Sequence, residues 1–172
     1  MMKFLPLFLL LAGPSACMDP AHDDAVDALP GETPGVPPGP LHRPGEPCAT
    51  CHGGQGPADT EFSIAGTVYL VAYQNTVASG VPVLMVDSTG VAGQIATNQA
   101  GNFWVNASDW RPTYPLQITV VFGSLHKQMQ THVGRAGSCA DCHSDPAGSE
   151  SPGHVWLARS QTQLDKALEP AQ

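Results

Sequence analysis

Basic residues are scarce in this chain. Lys and Arg number seven against fifteen Asp and Glu, for a formal charge of −8 over 172 residues. That balance argues against binding to nucleic-acid phosphates and against electrostatic binding to anionic lipid. Long apolar runs are missing too, since the stretch at residues 4–12 is too short to cross a bilayer as a helix. No helical periodicity competes before the tail at 157–168, where a short helix is possible. Catalytic groupings are also absent from the sequence: no paired carboxylates and no Ser/His/Asp arrangement stand out. Asp59, Asp141 and Asp145 read as solvated loop residues. Aromatics make up only 6% of the chain, and Trp104, Trp110 and Trp156 read as packing groups, with Trp156 also placed to cover a cofactor face.

Cysteine is sparse as well, at five residues, but four of the five fall in two copies of one pattern. These are Cys48-Ala-Thr-Cys51-His52 and Cys139-Ala-Asp-Cys142-His143. The spacing C-x-x-C-H is the attachment signature of c-type haem. Two thiols two residues apart can each form a thioether with a haem vinyl group, and the next histidine is held where it can ligate the iron. Cys48, Cys51, Cys139 and Cys142 are therefore the expected covalent sites, with His52 and His143 as proximal ligands of two haems. Two other chemistries use the same cysteines. The pairs could together make one Cys₄ zinc site, or each could close as a disulfide. Both leave the histidine after each pair unexplained.

The start of the chain reads as an export signal: Lys3, a short apolar stretch, then Gly13-Pro14-Ser15-Ala16-Cys17. Cys17 after Ser15-Ala16 resembles the lipobox of bacterial lipoproteins, in which the cysteine is lipidated. Pro14 departs from the Leu usual in that family three residues before the cysteine. Cys17 is also the cysteine left over by the two motifs, and a lipid would give it a partner. Residue Met18, where an Asp would signal retention, implies by the same resemblance the outer membrane. Export agrees with the haem reading, because haem is attached covalently outside the cytoplasmic membrane. Without residues 1–16 the formal charge is −9, which suits a basic redox partner, or simply solubility.

Four segments follow: a signal at 1–16, an Asp-, Pro- and Gly-rich tether at 17–47, a dihaem domain at 48–157 and a tail at 158–172. The tether is expected to be disordered and extended, holding the domain off the membrane. The domain alternates in strand fashion at 62–73, 81–87, 91–97, 102–106, 116–122 and 124–130, with turns at Ser79-Gly80, Thr89-Gly90, Ala100-Gly101 and Arg111-Pro112. The fold class expected is all-β, a small β-sandwich flanked by two haem-binding loops. Six strands running alternately up and down would bring entry and exit, and so both motifs, to one end.

Gly66-Thr-Val, Gly80-Val-Pro-Val and Thr97-Asn-Gln-Ala-Gly101-Asn-Phe103 give the middle of the chain a further likeness. Over residues 62–123 it resembles the carboxypeptidase regulatory-like (transthyretin-type) β-sandwich, which implies a structural or binding unit without catalysis. Cys48 to Gly56 resembles the start of the haem segment of class I cytochromes c, but the helical framework of that family does not follow.

Candidates for the sixth iron positions are, in order, His132, Met129, His126, His154 and His42, with His22 far out in the tether. A second histidine would lower the potential relative to methionine. The expectation is an exported, lipid-anchored dihaem cytochrome that carries electrons in the cell envelope and is not an enzyme. The competing expectation is a β-sandwich binding lipoprotein stapled by zinc or disulfides.

Overall fold

The computed structural model describes residues 19–135 and 137–169. It is a sandwich of two sheets. One has the order β4-β1-β7, the other β3-β2-β5-β6. The strands are β1 Phe62–Val71, β2 Pro82–Val86, β3 Ala92–Ala96, β4 Asn102–Asn106, β5 Gln117–Phe122, β6 Leu125–Gln128 and β7 Val155–Ala158. The first six fall where the alternation placed them, within two residues at most ends. β7 was not foreseen, and it crosses the expected boundary between domain and tail at 157. It runs parallel to β1, with Val68 opposite Val155 and Val71 opposite Ala158. Every other pairing of strands is antiparallel.

Between the sheets lie Ile64, Val68, Val81, Val83, Met85, Phe103, Leu116, Val120 and Leu157. Most are β-branched or aromatic residues at alternate strand positions, which fit a pleated, half-buried surface. The sequence Thr97 to Phe103 is turn chemistry leading into this core. Thr97 Oγ1 accepts from Val81 N, and Asn98 Oδ1 accepts from the backbone N–H of Ala100 and Asn102. Phe103 then enters the core at 2% exposure.

β1 departs from alternation. All residues from Ile64 to Tyr69 are buried, so both faces of the strand are covered. Part of the cover comes from the segment expected to be a free tether. Asn102 Nδ2 donates to His42 O at 2.9 Å, and Gly45 N donates to Thr67 Oγ1 at 2.8 Å. Thr67 in turn donates to Asn102 Oδ1 at 2.7 Å. The extended-tether reading therefore needs correcting for residues 40–47, which dock on the sandwich because β1 and β4 present polar side chains to their backbone.

The tether also holds a helix, α1 Pro20–Asp27, capped by Asp19. Asp at the N-cap followed by proline at the first helical position is a strong start signal. α1 lies against α2 Cys48–His52. The tail forms α3 Gln161–Ala167, capped by Ser160, with Leu164 and Ala167 buried. Among the described residues no helix is long and apolar enough to cross a membrane.

Candidate cofactor site

Both C-x-x-C-H motifs fold as single helical turns, and both turns pack on β1. The first is α2 itself, with Pro47 at its N-cap. Directly after it the chain folds back over the turn, and Ala58 N donates to Cys51 O at 3.2 Å. Gly56 permits this, since a Cβ there would collide with the carbonyl oxygens of Thr50 and Cys51. In the second motif Cys139–Asp141 makes a 3₁₀ turn, and His143 N donates to Cys139 O at 2.8 Å. This turn is held at the edge of β1: Ala65 N donates to Gly137 O at 2.7 Å, and Ser138 bridges to Ala65 in parallel.

Helical turns place the two sulfurs of each motif on one side of the backbone, followed immediately by the imidazole. All four cysteines are free thiols. Burial pushes Cys48 up to about 11, and the charge of Asp141 in the other motif adds to the shift. Burial likewise pushes Cys139 up to about 12, with Cys48 the next contributor. Both motifs sit against the first half of β1, His52 on Phe62 and Cys139 on Gly66, and so at the same end of the sandwich. Among the described residues, no three His, Cys, Asp or Glu side chains converge as a set for a bare metal ion.

The motif histidines are held alike. His52 Nδ1 lies 2.8 Å from the carbonyl oxygen of Thr60, and His143 Nδ1 lies 3.0 Å from that of Gly153. A carbonyl only accepts, so each Nδ1 carries a proton, and in the neutral ring each Nε2 is the nitrogen with the free lone pair. This is how proteins fix the tautomer and ring orientation of a metal-binding histidine. Packing fixes the first ring further: Phe62 stacks on His52 with centroids 4.0 Å apart and planes 6° apart, and Trp104 backs Phe62 at 5.7 Å. The loop behind the second is pinned by Ser151, which donates to Ser144 O at 2.7 Å and accepts from Gly153 N at 3.0 Å.

The further ligand candidates scatter. His42 comes to the first motif, its ring centroid 6.2 Å from that of His52. His154 follows Gly153 directly and stacks on Tyr69 at 4.2 Å, beside a cavity of about 160 Å³ that Gly153 and Asp145 also line. Burial pushes the Tyr69 hydroxyl up to about 12. His132, exposed, accepts at Nε2 from Gln117 Nε2 at 3.1 Å, on the other sheet. Met129 continues from β6, its N–H bonded to Ile118 O at 3.0 Å, and His126 is exposed on β6. None of these three has a contact with a motif histidine like that of His42. His22, expected far from the domain, is on α1 beside α2, its Nε2 buried without a hydrogen-bond partner. Trp156 has Lys127 over its ring. Cys17 lies outside the described residues.

Sequence reasoning missed the supporting groups. The carbonyls of Thr60 and Gly153 leave no trace in residue type, and Glu32 gave no signal. Gly66 did: its place in Gly66-Thr-Val marked it, and a Cβ there would strike Cys139.

No protein family, curated protein or solved structure matches this chain.

Proposed function

We propose that this protein is a dihaem c-type cytochrome that carries electrons in the cell envelope. The observation that supports it most is the common state of His52 and His143, each giving its Nδ1 proton to a backbone carbonyl directly after a pair of free thiols. A zinc or disulfide staple would have no use for two oriented imidazoles. A covalent haem iron would use both.

Cys48 and Cys51 would hold one haem, and Cys139 and Cys142 the other. Each S–H would add across a vinyl double bond, sulfur bonding one carbon and hydrogen going to its neighbour, so that attachment would need no oxidant. Bound haem supplies one-electron chemistry at iron. The chain would contribute an oriented imidazole to each haem, and a single strand, β1, on which both motifs pack. An acidic surface suits a basic redox partner, and lipidation at Cys17 would keep the carrier at the outer membrane.

The test is expression in a host that matures cytochromes c, followed by a pyridine haemochrome spectrum and denatured intact mass. Two covalent haems per chain are expected. Absence of covalent haem, in a host that matures a control cytochrome, would overturn the proposal in favour of the stapled binding module.

A further inference from the structure

From the docked segment ahead of the first motif we infer that His42 is the second axial ligand of the first haem, oriented by Glu32. This deepens the cytochrome reading and rests on it.

His42 and His52 stand with ring centroids 6.2 Å apart and planes at 81°. This is an edge-on contact of the two rings, with no hydrogen bond between them, and it brings a second imidazole beside the one that follows the first pair of cysteines.

The donor atoms agree with this placement. Glu32 Oε1 lies 3.3 Å from His42 Nδ1. A carboxylate accepts, so Nδ1 carries the proton and Nε2 is left with its lone pair, as in His52. A carboxylate behind a histidine also raises the basicity of the ligating nitrogen. Glu32 is itself fixed by Arg43, whose Nε donates to the same oxygen at 2.9 Å. The backbone of His42 is tied to β4 through Asn102 Nδ2. Side chain and main chain are therefore both anchored, as a ligand on a long loop requires. His22 is the rival. It has a buried, unpartnered Nε2, but among the described residues no carboxylate orients it and no ring contact joins it to His52.

The experiment uses the full-length holoprotein and the variants His42→Ala, His42→Met, Glu32→Gln, His22→Ala and His132→Ala. Intact mass is read first. Two haems per chain in the parent keeps the cytochrome reading, and their absence overturns that reading and this one together. CO bound per chain after reduction is read next. In His42→Ala it should rise by one relative to the parent, with one ferric haem turning high-spin, while His22→Ala and His132→Ala stay at the parent value. His42→Met should stay closed to CO and raise the midpoint potential of one haem of the two, because thioether sulfur favours ferrous iron. Glu32→Gln should also raise one potential without opening the site, which separates a positioning role from loss of the fold. Unchanged CO binding in His42→Ala, or the extra CO site appearing in His22→Ala or His132→Ala, overturns the assignment while leaving two haems intact.

Discussion

Gly66 lies directly against Cys139: a Cβ on Gly66 would fall 2.6 Å from the cysteine sulfur and 2.7 Å from its Cβ. Phe103 Cε1, at 3.2 Å from the same point, closes the other side. The second motif is thus seated on the one β1 position without a side chain. Gly66→Ala should cost about 1–3 kcal/mol, as overpacking does. It should also lift the Cys139 turn and reduce covalent haem there. Urea denaturation gives the first number. Mass of the peptide containing Cys139 and Cys142 gives the second, with the Cys48–Cys51 peptide as internal control. Equal haem loss from both peptides would contradict a local effect.

Phe62 is wedged between His52 and Trp104. It is half-buried, so Phe62→Ala should destabilise by about 2 kcal/mol, less than the about 3–5 of a fully buried phenylalanine. Phe62→Tyr keeps the ring and should stay within about 1 kcal/mol of the parent. Loss of the ring frees His52 to rotate, so Phe62→Ala should also broaden the spectrum of the first haem. Chemical denaturation and low-temperature spectra of the two variants check this pair of expectations.

How much of this could be read from sequence depends on where each signal is written. The first six strands are legible because β-rich alternation is broken by turns at Gly80, Gly90 and Gly101, each with positive φ. β7 is not, because Val155–Ala158 is four residues long and joins β1 in parallel, with no hairpin turn to announce it. α1 carried a signal in Asp19-Pro20 that its acidic, proline-rich surroundings hid. For the site, the motifs announce themselves, and strand parity anticipated their meeting at one end. The order of the ligand candidates put first His132 and Met129, which lie just before the second motif in sequence. Nearness in sequence is blind to a segment such as 40–47, whose position is set by Asn102 and Thr67 some sixty and twenty residues away.

Asp87 gives the fold an acid-sensitive point. Its carboxylate accepts from the Thr89 hydroxyl, and from the backbone N–H of Thr113, Thr89 and Val91, which hold it below its ordinary value of 3.8. The folded state therefore binds this proton less readily than the unfolded chain. Its contribution is complete above about 3.8 and is lost as pH falls through the lower folded value. Asp87→Asn should be less stable than the parent at neutral pH, with the gap narrowing in acid. Urea midpoints from pH 7 to pH 2 measure it, and a gap independent of pH would contradict it.

Lys127 acts in the opposite direction. Burial, with Arg159 nearby, pushes its amine from 10.5 down to about 7, although it donates to Trp156 O at 2.9 Å. Here the unfolded chain keeps its proton longer, so stability rises with pH from about 7 towards 10.5. The amine is half-exposed, and its carbonyl and ring contacts favour the charged form. The rise should therefore be only about 1 kcal/mol. Lys127→Met should abolish it. The difference between variant and parent is best read from about pH 7 to about pH 8.5, before free cysteines in the unfolded chain ionise.

Thr67 joins the sandwich to the segment that carries His42. Its hydroxyl accepts from Gly45 N and donates to Asn102 Oδ1, and Asn102 in turn holds His42 O. Thr67→Val keeps the shape but strips two polar atoms, Gly45 N and Asn102 Oδ1, of their partner, at a cost of about 1–3 kcal/mol if they remain buried. Residues 40–47 can avoid most of that cost by leaving the sheet, since water then satisfies Gly45 N. The variant should therefore lose little global stability but exchange amide hydrogens faster at 42–46, and be cut there first by protease. Hydrogen exchange resolved to that segment measures it. Unchanged protection would show that Asn98 Nδ2, which donates to Pro40 O, and Asn102 Nδ2, which donates to His42 O, alone suffice to dock it. In the holoprotein the same variant should gain part of the CO binding expected of His42→Ala, because a ligand on a loosened segment spends part of its time away from the iron.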